Sequence, residues 1–278
     1  MTESAYSDLD RPPLDAALLR RALVVPRSRW VDVEVRTETA STNAALAARA
    51  HEDPRSGLVL LAEYQWAGRG RLDRAWTAPP RSGITMSVLL RPVGVQVSRW
   101  PWIPLLSGLA VAAAVRDEAR VEATLKWPND VVVGDRKLAG VLVERVDTTT
   151  SRPAAVIGIG LNVSLRADEL PTANATSLAI EAAATTDRTL LVKAVLRSLD
   201  GLMRWWEAAG GDPKDGLHAA YVDACSTLGR AVRIALPHGG SEVGEAVGID
   251  SSGRLLVRTT RGQQAFGAGD VVHLLSDS

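Results

Sequence analysis

Cysteine is nearly absent from this chain. Cys225 stands alone, so no intramolecular disulfide can form, and the chain suits a reducing cytosol. A single cysteine among apolar neighbours reads as a small hydrophobe rather than a nucleophile. Histidine is scarce too: His51, His218, His238 and His273 are scattered, and none has metal-ligand spacing. Charge of either sign is missing in excess, since 32 lysines and arginines balance 32 aspartates and glutamates. That balance excludes broad affinity for nucleic acid or membrane while leaving room for a local basic cleft. No apolar run is long enough to span a bilayer. The first ten residues carry Glu3, Asp8 and Asp10 and no apolar stretch, so they do not form a signal peptide. A cytoplasmic location is the expectation. No GxxxxGK[ST] sequence occurs, so any nucleotide site is of another kind than a P-loop.

What is present supports a substantial core: 278 residues with 46% hydrophobic content suit one large domain, or one large and one small. Residues 1–12 are polar. Pro12-Pro13 lead into a short helix over Leu14–Leu23. Only this one helix is expected before residue 30, and a helix-turn-helix needs at least two, so no DNA-reading domain is expected in front. Val31–Val35 alternates apolar and polar and predicts a strand. Ser41-Thr42-Asn43 precedes an alanine-rich helix over Ala44–Ala50, where a hydroxyl either caps the helix or meets a ligand, or does both. Strands are expected over Leu58–Glu63 and Ile84–Arg91, and a core helix over Trp102–Ala119. Val121–Trp127 reads as a strand that ends at Pro128. Val131–Val133, a Gly134-Asp135 turn and Lys137–Glu144 read as a hairpin, and Ala154–Val163 as a further strand. Helices follow near 187–209 and 214–226. After Cys225 the texture changes to five short strands, Ala231–Leu236, Glu242–Ile249, Leu255–Thr259, Gln264–Phe266 and Val271–Leu275, punctuated by glycines: a small antiparallel barrel or sandwich.

Between the strands at 58 and 84 runs Gln65-Trp66-Ala67-Gly68-Arg69-Gly70-Arg71-Leu72-Asp73-Arg74-Ala75-Trp76. Glycine allows close backbone approach to a ligand, and arginine grips carboxylate or phosphate with a planar fork of donors. The stretch is therefore either an anion clamp or a solvated basic turn. With three arginines and two glycines, residues 67–74 are expected to order around an anion as a lid. Three polar clusters sit at strand ends: Ser41–Asn43 with Gln65, the arginine loop, and Lys126–Asp130 with Lys137 and Asn162. Together they are rich in cations and amides, with no Ser/His/Asp set and no thiol–base pair. Such a site is poor at nucleophilic catalysis. It suits holding a carboxylate and a polyphosphate together, so that proximity and charge stabilisation drive the reaction.

Five motifs in this order carry a resemblance. They are Ser41-Thr42-Asn43, Gly68-Arg69-Gly70-Arg71 with Trp76, Lys126-Trp127-Pro128-Asn129-Asp130, Lys137-Leu138-Ala139-Gly140 and Gly158-Ile159-Gly160-Leu161-Asn162. The set resembles the biotin protein ligases, or biotin–[acetyl-CoA-carboxylase] ligases, over about residues 30 to 275, and the short class that lacks an N-terminal DNA-binding domain. Asp73 departs from the glycine the family often has there.

The resemblance implies an α+β fold: a mixed sheet flanked by helices, like that of class II aminoacyl-tRNA synthetases, with a small C-terminal SH3-like β-barrel. The expected division is an N-terminal segment over 1–29, a catalytic domain over 30–226 and the barrel over 227–278. It also implies the reaction. Biotin and ATP, with Mg²⁺, give biotinyl-5′-AMP, and the biotinyl group then passes to a lysine of the biotin carboxyl carrier domain of an acyl-CoA carboxylase. Neither DNA nor membrane is an expected partner. Ser41, Thr42, Asn43, Gln65, Arg69, Gly70, Arg71 and Lys126 match biotin-contacting positions, with Lys126 and Arg69 as catalytic candidates. Trp76, Asn129, Lys137 and Asn162 are the nucleotide candidates, with Trp76 either stacking adenine or anchoring the loop. Asp130 either meets Mg²⁺ through water or forms a corner salt bridge. Lipoate–protein ligases share this fold and adenylating chemistry and are the nearest rival; a non-enzymatic biotin-binding regulator is the other.

Overall fold

The computed structural model describes residues 11–71, 74–149, 152–214, 216–235, 240–267 and 270–274. Leu72 and Asp73, and with them the family departure at Asp73, lie outside the described residues. So does Leu236, at the end of one expected strand, and Leu275, at the end of another.

A seven-stranded sheet runs in the order β1-β2-β3-β7-β6-β5-β4. Its strands are β1 (Asp32–Arg36), β2 (Leu58–Ala62), β3 (Gly83–Leu90), β4 (Thr124–Lys126), β5 (Asp130–Val133), β6 (Arg136–Val146) and β7 (Ala154–Asn162). Only β1 and β2 pair parallel, across the helix α2 (Thr42–Glu52); every other pairing is antiparallel. The sheet is therefore mixed, as expected. Residues 121–123, expected as strand, lie outside β4, which spans only Thr124–Lys126.

Every residue of β2 and β3 is buried, because helices cover both faces of the sheet. On one face Val59, Leu61, Met86, Val88, Ile157 and Ile159 belong to the main core. This core also takes residues of α1 (Ala16–Leu23), α3 (Trp102–Ala114) and α4 (Arg188–Ala208). Leu14, Leu19 and Leu23 are buried in it, so the short helix before residue 30 packs with the catalytic elements. On the other face only α2 packs, placing Leu46 and Ala50 over Leu58, Leu60, Leu89 and Val156. α2 is short, and beyond its N-terminus this face of the sheet carries the candidate site.

After α5 (Leu217–Ala224) the chain forms a second, antiparallel sheet in the order β11-β10-β9-β8-β12. Its strands are β8 (Ala231–Ala235), β9 (Ser241–Ile249), β10 (Leu255–Thr259), β11 (Gly262–Phe266) and β12 (Asp270–His273). Its apolar side, with Val232, Ile234, Ala246, Ile249, Leu255 and Val257, is continuous with the main core. Two indoles fasten its 250–253 turn: Trp102 Nε1 donates to Ser251 O at 2.9 Å and Trp127 Nε1 donates to Gly253 O at 3.0 Å. Both tryptophans are almost fully buried, so each indole N–H finds its acceptor in the second sheet.

One buried ion pair fixes the end of β2. Arg188 Nη1 donates to Glu63 Oε2 at 2.6 Å, and Glu63 Oε1 accepts from Leu14 N at 2.7 Å. Arg188 Nη2 also donates to Pro12 O at 2.6 Å. This knot ties the chain start, β2 and α4 together just before Gln65. Removing one partner leaves a charge buried without compensation, which costs about 3–5 kcal/mol. Arg188→Met should lower unfolding stability by roughly that amount in urea denaturation, and adding Glu63→Gln should restore part of it. A single-mutant loss below about 1 kcal/mol would show that the knot is dispensable.

Candidate active site

The site begins with what the strands lack. In register across the sheet lie Leu60, Ser87, Gly158 and Leu142, and in the next row on the same face Ala62, Thr85, Gly160 and Gly140. Glycine at three of these places leaves a trough where side chains would stand. Two groups lie directly against it. The Asn43 amide rests on Gly158, where a Cβ would meet Asn43 Oδ1 at 2.3 Å. The Trp76 indole rests on Gly160, where a Cβ would meet Trp76 Cε2 at 2.3 Å.

The N-terminus of α2 closes one end of the trough. Ser41 is the N-cap, with Oγ accepting from Ala44 N at 3.3 Å, so it caps and also lines the cavity. The free N–H of Thr42 donates to Gln65 Oε1 at 2.7 Å, and Thr42 Oγ1 donates to the same oxygen at 2.9 Å. Ser87 Oγ lies 2.7 Å from Thr42 Oγ1 and 2.5 Å from Asn43 Oδ1. Asn43 Nδ2 donates to Glu144 Oε2 at 2.7 Å. This end is thus a string of neutral hydroxyls and amides, suited to a polar, uncharged head group.

The arginine loop forms the roof. Its stem is closed by its own backbone: Trp76 N donates to Gly68 O at 2.9 Å and Gly70 N donates to Arg74 O at 2.7 Å. Arg71 Nη1 donates to Asn129 Oδ1 at 2.9 Å, and Asn129 Nδ2 donates to Val141 O at 3.0 Å, so the loop is tied to the Lys126–Asp130 corner. The Trp127–Pro128 bond in that corner is cis.

Two adjoining cavities result. The smaller, about 50 Å³, is lined by Ser41, Thr42, Asn43, Gln65 and Arg69. The larger, about 350 Å³, is lined by Lys126, Asp130, Asn162, Arg74 and the 171–175 loop. Gly70, Arg71, Trp76, Asn129 and Lys137 face both. The fold therefore brings every predicted site residue to one cleft, with hydroxyls and amides gathered around Ser41–Asn43 and Gln65, and cations along the arginine loop and the Lys126–Lys137 side. Lys126, matched to a biotin-contacting position, lines the larger cavity and not the smaller one. Trp76 divides the two, with Lys137 Nζ 5.8 Å from its ring centroid. Asp130 pairs with Lys137 at 2.7 Å, which is the corner salt bridge. Asn162 donates through Nδ2 to Thr176 O at 2.9 Å and so pins the loop that walls the larger cavity.

Three contributors escaped the sequence reading. Ser87 and Thr85 were detectable as polar residues inside a strand with apolar character on both faces. Glu144 had no signal, since its partner Asn43 is 101 residues away.

The second sheet reaches the larger cavity through one cluster. Asp135, a cavity residue on the β5–β6 turn, pairs with Arg230 at 2.6 Å and lies 3.4 Å from His273 Nδ1. Thr227 Oγ1 accepts from Trp127 N at 3.1 Å and lies 3.1 Å from His273 Nε2. Burial first, and then the nearby Lys126 charge, push the His273 imidazole below its ordinary pKa, against the opposing pull of Asp135. By contrast, Cys225 is buried and its thiol is pushed up, so it is no nucleophile.

The model of the biotin/lipoate A/B protein ligase family matches residues 35–162, and that of the biotin protein ligase C-terminal domain matches residues 227–274. The biotin–[acetyl-CoA-carboxylase] ligase of Mycobacterium tuberculosis is 41% identical over 268 residues, covering 95% of this chain and 97% of that protein. The bifunctional ligase/repressor BirA of Bacillus subtilis is 30% identical, over 80% of this chain and 68% of that one. Among solved structures, the biotin protein ligase of Aquifex aeolicus in complex with biotin and ATP superposes with a TM-score of 0.69 at 26% identity, covering 89% of this chain and 99% of that chain.

Two predictions arise from this geometry. Gly160→Ala must displace the Trp76 ring, and it should raise the KM for both the acid and the nucleotide at least tenfold. Gly201→Ala, which meets nothing within 4 Å in α4, should leave both unchanged. Steady-state kinetics on the two proteins checks this. The second concerns pH. A depressed His273 pKa means that the unfolded chain binds this proton more readily than the fold does. The contribution is therefore full above the ordinary value of about 6.5 and is lost as pH falls through the lower folded value. Unfolding stability should drop more steeply below about pH 6.5 in the wild type than in His273→Gln, as denaturant titrations at several pH values would show.

Proposed function

The chain belongs to the biotin protein ligase family, and on that premise we propose that it activates biotin with ATP to biotinyl-5′-AMP and transfers the biotinyl group to a lysine of a biotin carboxyl carrier domain. The observation that carries this reading is the polarity of the cleft. Its cluster of amides and hydroxyls suits a ureido ring, and its arginines and lysines suit two anions brought together. A match to the C-terminal domain specific to biotin protein ligases supports biotin over lipoate as the acid.

The side chains support each step by charge and position. In the first, a carboxylate oxygen attacks the α-phosphorus in line and pyrophosphate leaves. Both reactants are anionic, so Arg69, Arg71 and Lys126 offset their repulsion and stabilise the charge that builds on the phosphoryl oxygens. In the second, the carrier lysine attacks the acyl carbon and AMP leaves; Lys126 is our candidate to steady the oxyanion. The adenylate is already activated, so no covalent enzyme intermediate is required. Trp76 separates the acid from the nucleotide side and offers its indole to adenine, and Asn129, Lys137 and Asn162 line the nucleotide side.

The residues do not fit a resident metal. Asp130 and Asp135 are each held by a cation, at 2.7 and 2.6 Å. Among the described residues no group of three or more His, Cys, Asp or Glu side chains could hold an ion. Magnesium therefore enters as MgATP, ligated largely by phosphate oxygens and water. No helix of the described residues is long and apolar enough to cross a membrane.

Incubation with biotin, MgATP and a carrier domain should add one biotinyl mass to the carrier, and biotin rather than lipoate should support ATP–pyrophosphate exchange. Lys126→Ala should fold normally and lose about 10²–10³ in adenylation rate, the size expected for one oxyanion-stabilising group. Near-wild-type single-turnover adenylation by the folded variant would remove Lys126 from the mechanism.

A further inference from the structure

The closed end of the cleft has too few protons for its oxygens. Four oxygens form a string with three short contacts: Asn43 Oδ1 to Ser87 Oγ at 2.5 Å, Ser87 Oγ to Thr42 Oγ1 at 2.7 Å, and Thr42 Oγ1 to Gln65 Oε1 at 2.9 Å. Both ends of the string are oriented from outside. The carboxylate of Glu144 has no proton to give, so it takes Asn43 Nδ2–H at 2.7 Å and turns Oδ1 toward Ser87. The backbone N–H of Thr42 needs an acceptor, so it turns Gln65 Oε1 inward at 2.7 Å. Only the two hydroxyls then carry protons, one each. Two protons cannot serve three contacts, so one oxygen pair always lies close with no hydrogen between. Ser87 is fully buried and Thr42 and Asn43 nearly so, and among the described residues the Thr42 N–H is the one further protein donor to these oxygens.

We propose that Glu144 is a positioning residue that keeps this pocket one proton short, and so makes it select an acid whose head group donates N–H. The proposal rests on the reading of biotin as substrate. Thr42, Asn43 and Gln65 line the cavity, and a ureido N–H that donates to Asn43 Oδ1 frees the Ser87 hydroxyl to donate to Thr42 Oγ1 and the Thr42 hydroxyl to Gln65 Oε1, so that every oxygen of the string has a hydrogen bond. The unprotonated contact can then relax. A dithiolane or a plain alkyl head brings no such proton and leaves the deficit in place. Discrimination between biotin and lipoate thus begins at a carboxylate that sits behind Asn43, on β6.

Glu144→Gln reverses the arrangement. A glutamine there can donate to Asn43 Oδ1, which lets the Asn43 amide turn over. Asn43 Nδ2 then donates to Ser87 Oγ, Ser87 to Thr42 and Thr42 to Gln65, and all three contacts carry a proton. The free protein should gain thermal stability while the KM for biotin rises about tenfold, with kcat and the KM for ATP little changed. A merely structural role moves stability the other way, because losing a buried partner destabilises. Ser87→Ala is the second variant. It removes the contested hydroxyl, so Tm should hold or rise. In that background Glu144→Gln should change the KM for biotin less than threefold.

Thermal melts and biotin-dependent ATP–pyrophosphate exchange on the wild type, both single variants and the double variant decide the matter. Higher Tm with a selective rise in biotin KM, abolished by Ser87→Ala, supports the proposal. A fall in Tm for either single variant, an unchanged biotin KM, or additive effects in the double variant would overturn it. Failure of the wild type to exchange with biotin would instead sink the substrate reading itself.

Discussion

The functional half of this molecule depends on an empty row in a sheet. At Gly140, Gly158 and Gly160, neighbouring strands β6 and β7 present backbone where side chains would otherwise project. The Asn43 amide and the Trp76 indole lie directly on that backbone. A single methyl at Gly158 or Gly160 would stand 2.3 Å from one of them, a distance no packing adjustment of those groups absorbs without moving them. The rest of the architecture serves this row. Helices α3 and α4 cover the opposite face, and the short α2 begins beside the trough, so that Thr42 and Asn43 in its first turn line it.

The electrostatics follow from the same placement. The closed end is built from a helix N-terminus, amides and buried hydroxyls, with Arg69 beside them and Glu144 behind Asn43. The open end collects Arg71, Lys126 and Lys137, with Asp130 and Asp135 interspersed. Those two carboxylates temper the field without cancelling it. A ligand with a neutral head and an anionic tail finds its matching environment at each end, and a second anion can share the cationic part. The second sheet adds to this region through Arg230 and His273, which brace the Asp135 turn against the cavity. That contact gives the C-terminal strands a physical link to the nucleotide side.

Several expectations took their final form from packing. The arginine loop looked like a chain of mutually repelling charges awaiting an anion. Its flanks pair across Gly68 and Trp76, and Arg71 reaches the Asn129 amide, 58 residues along the chain. Asp130, expected either to meet magnesium through water or to form a corner salt bridge, pairs with Lys137 on the neighbouring strand. The helix at Ala16–Leu23, placed in the expected N-terminal segment over 1–29, joins the main core: Leu19 and Leu23 are buried, and Arg188 ties the preceding Pro12 to the end of β2.

Sequence alone determined the element types, because the period of apolar residues and the turn glycines are local properties. It also determined the chemical character of the site. Arginines between glycines and a lysine at a proline-stopped strand end already announce an anion binder, and the order of the five motifs announces the family. Tertiary structure decided which groups meet. That Asn43 lies on Gly158, that Ser87 joins Thr42 to Asn43, and that Glu144 orients the amide are facts of strand register. Register joins residues from distant parts of the chain through backbone hydrogen bonds that any sequence can make, so their identities leave no local trace. A pocket short of one proton exists only when those four oxygens are brought within hydrogen-bond distance, and folding alone does that.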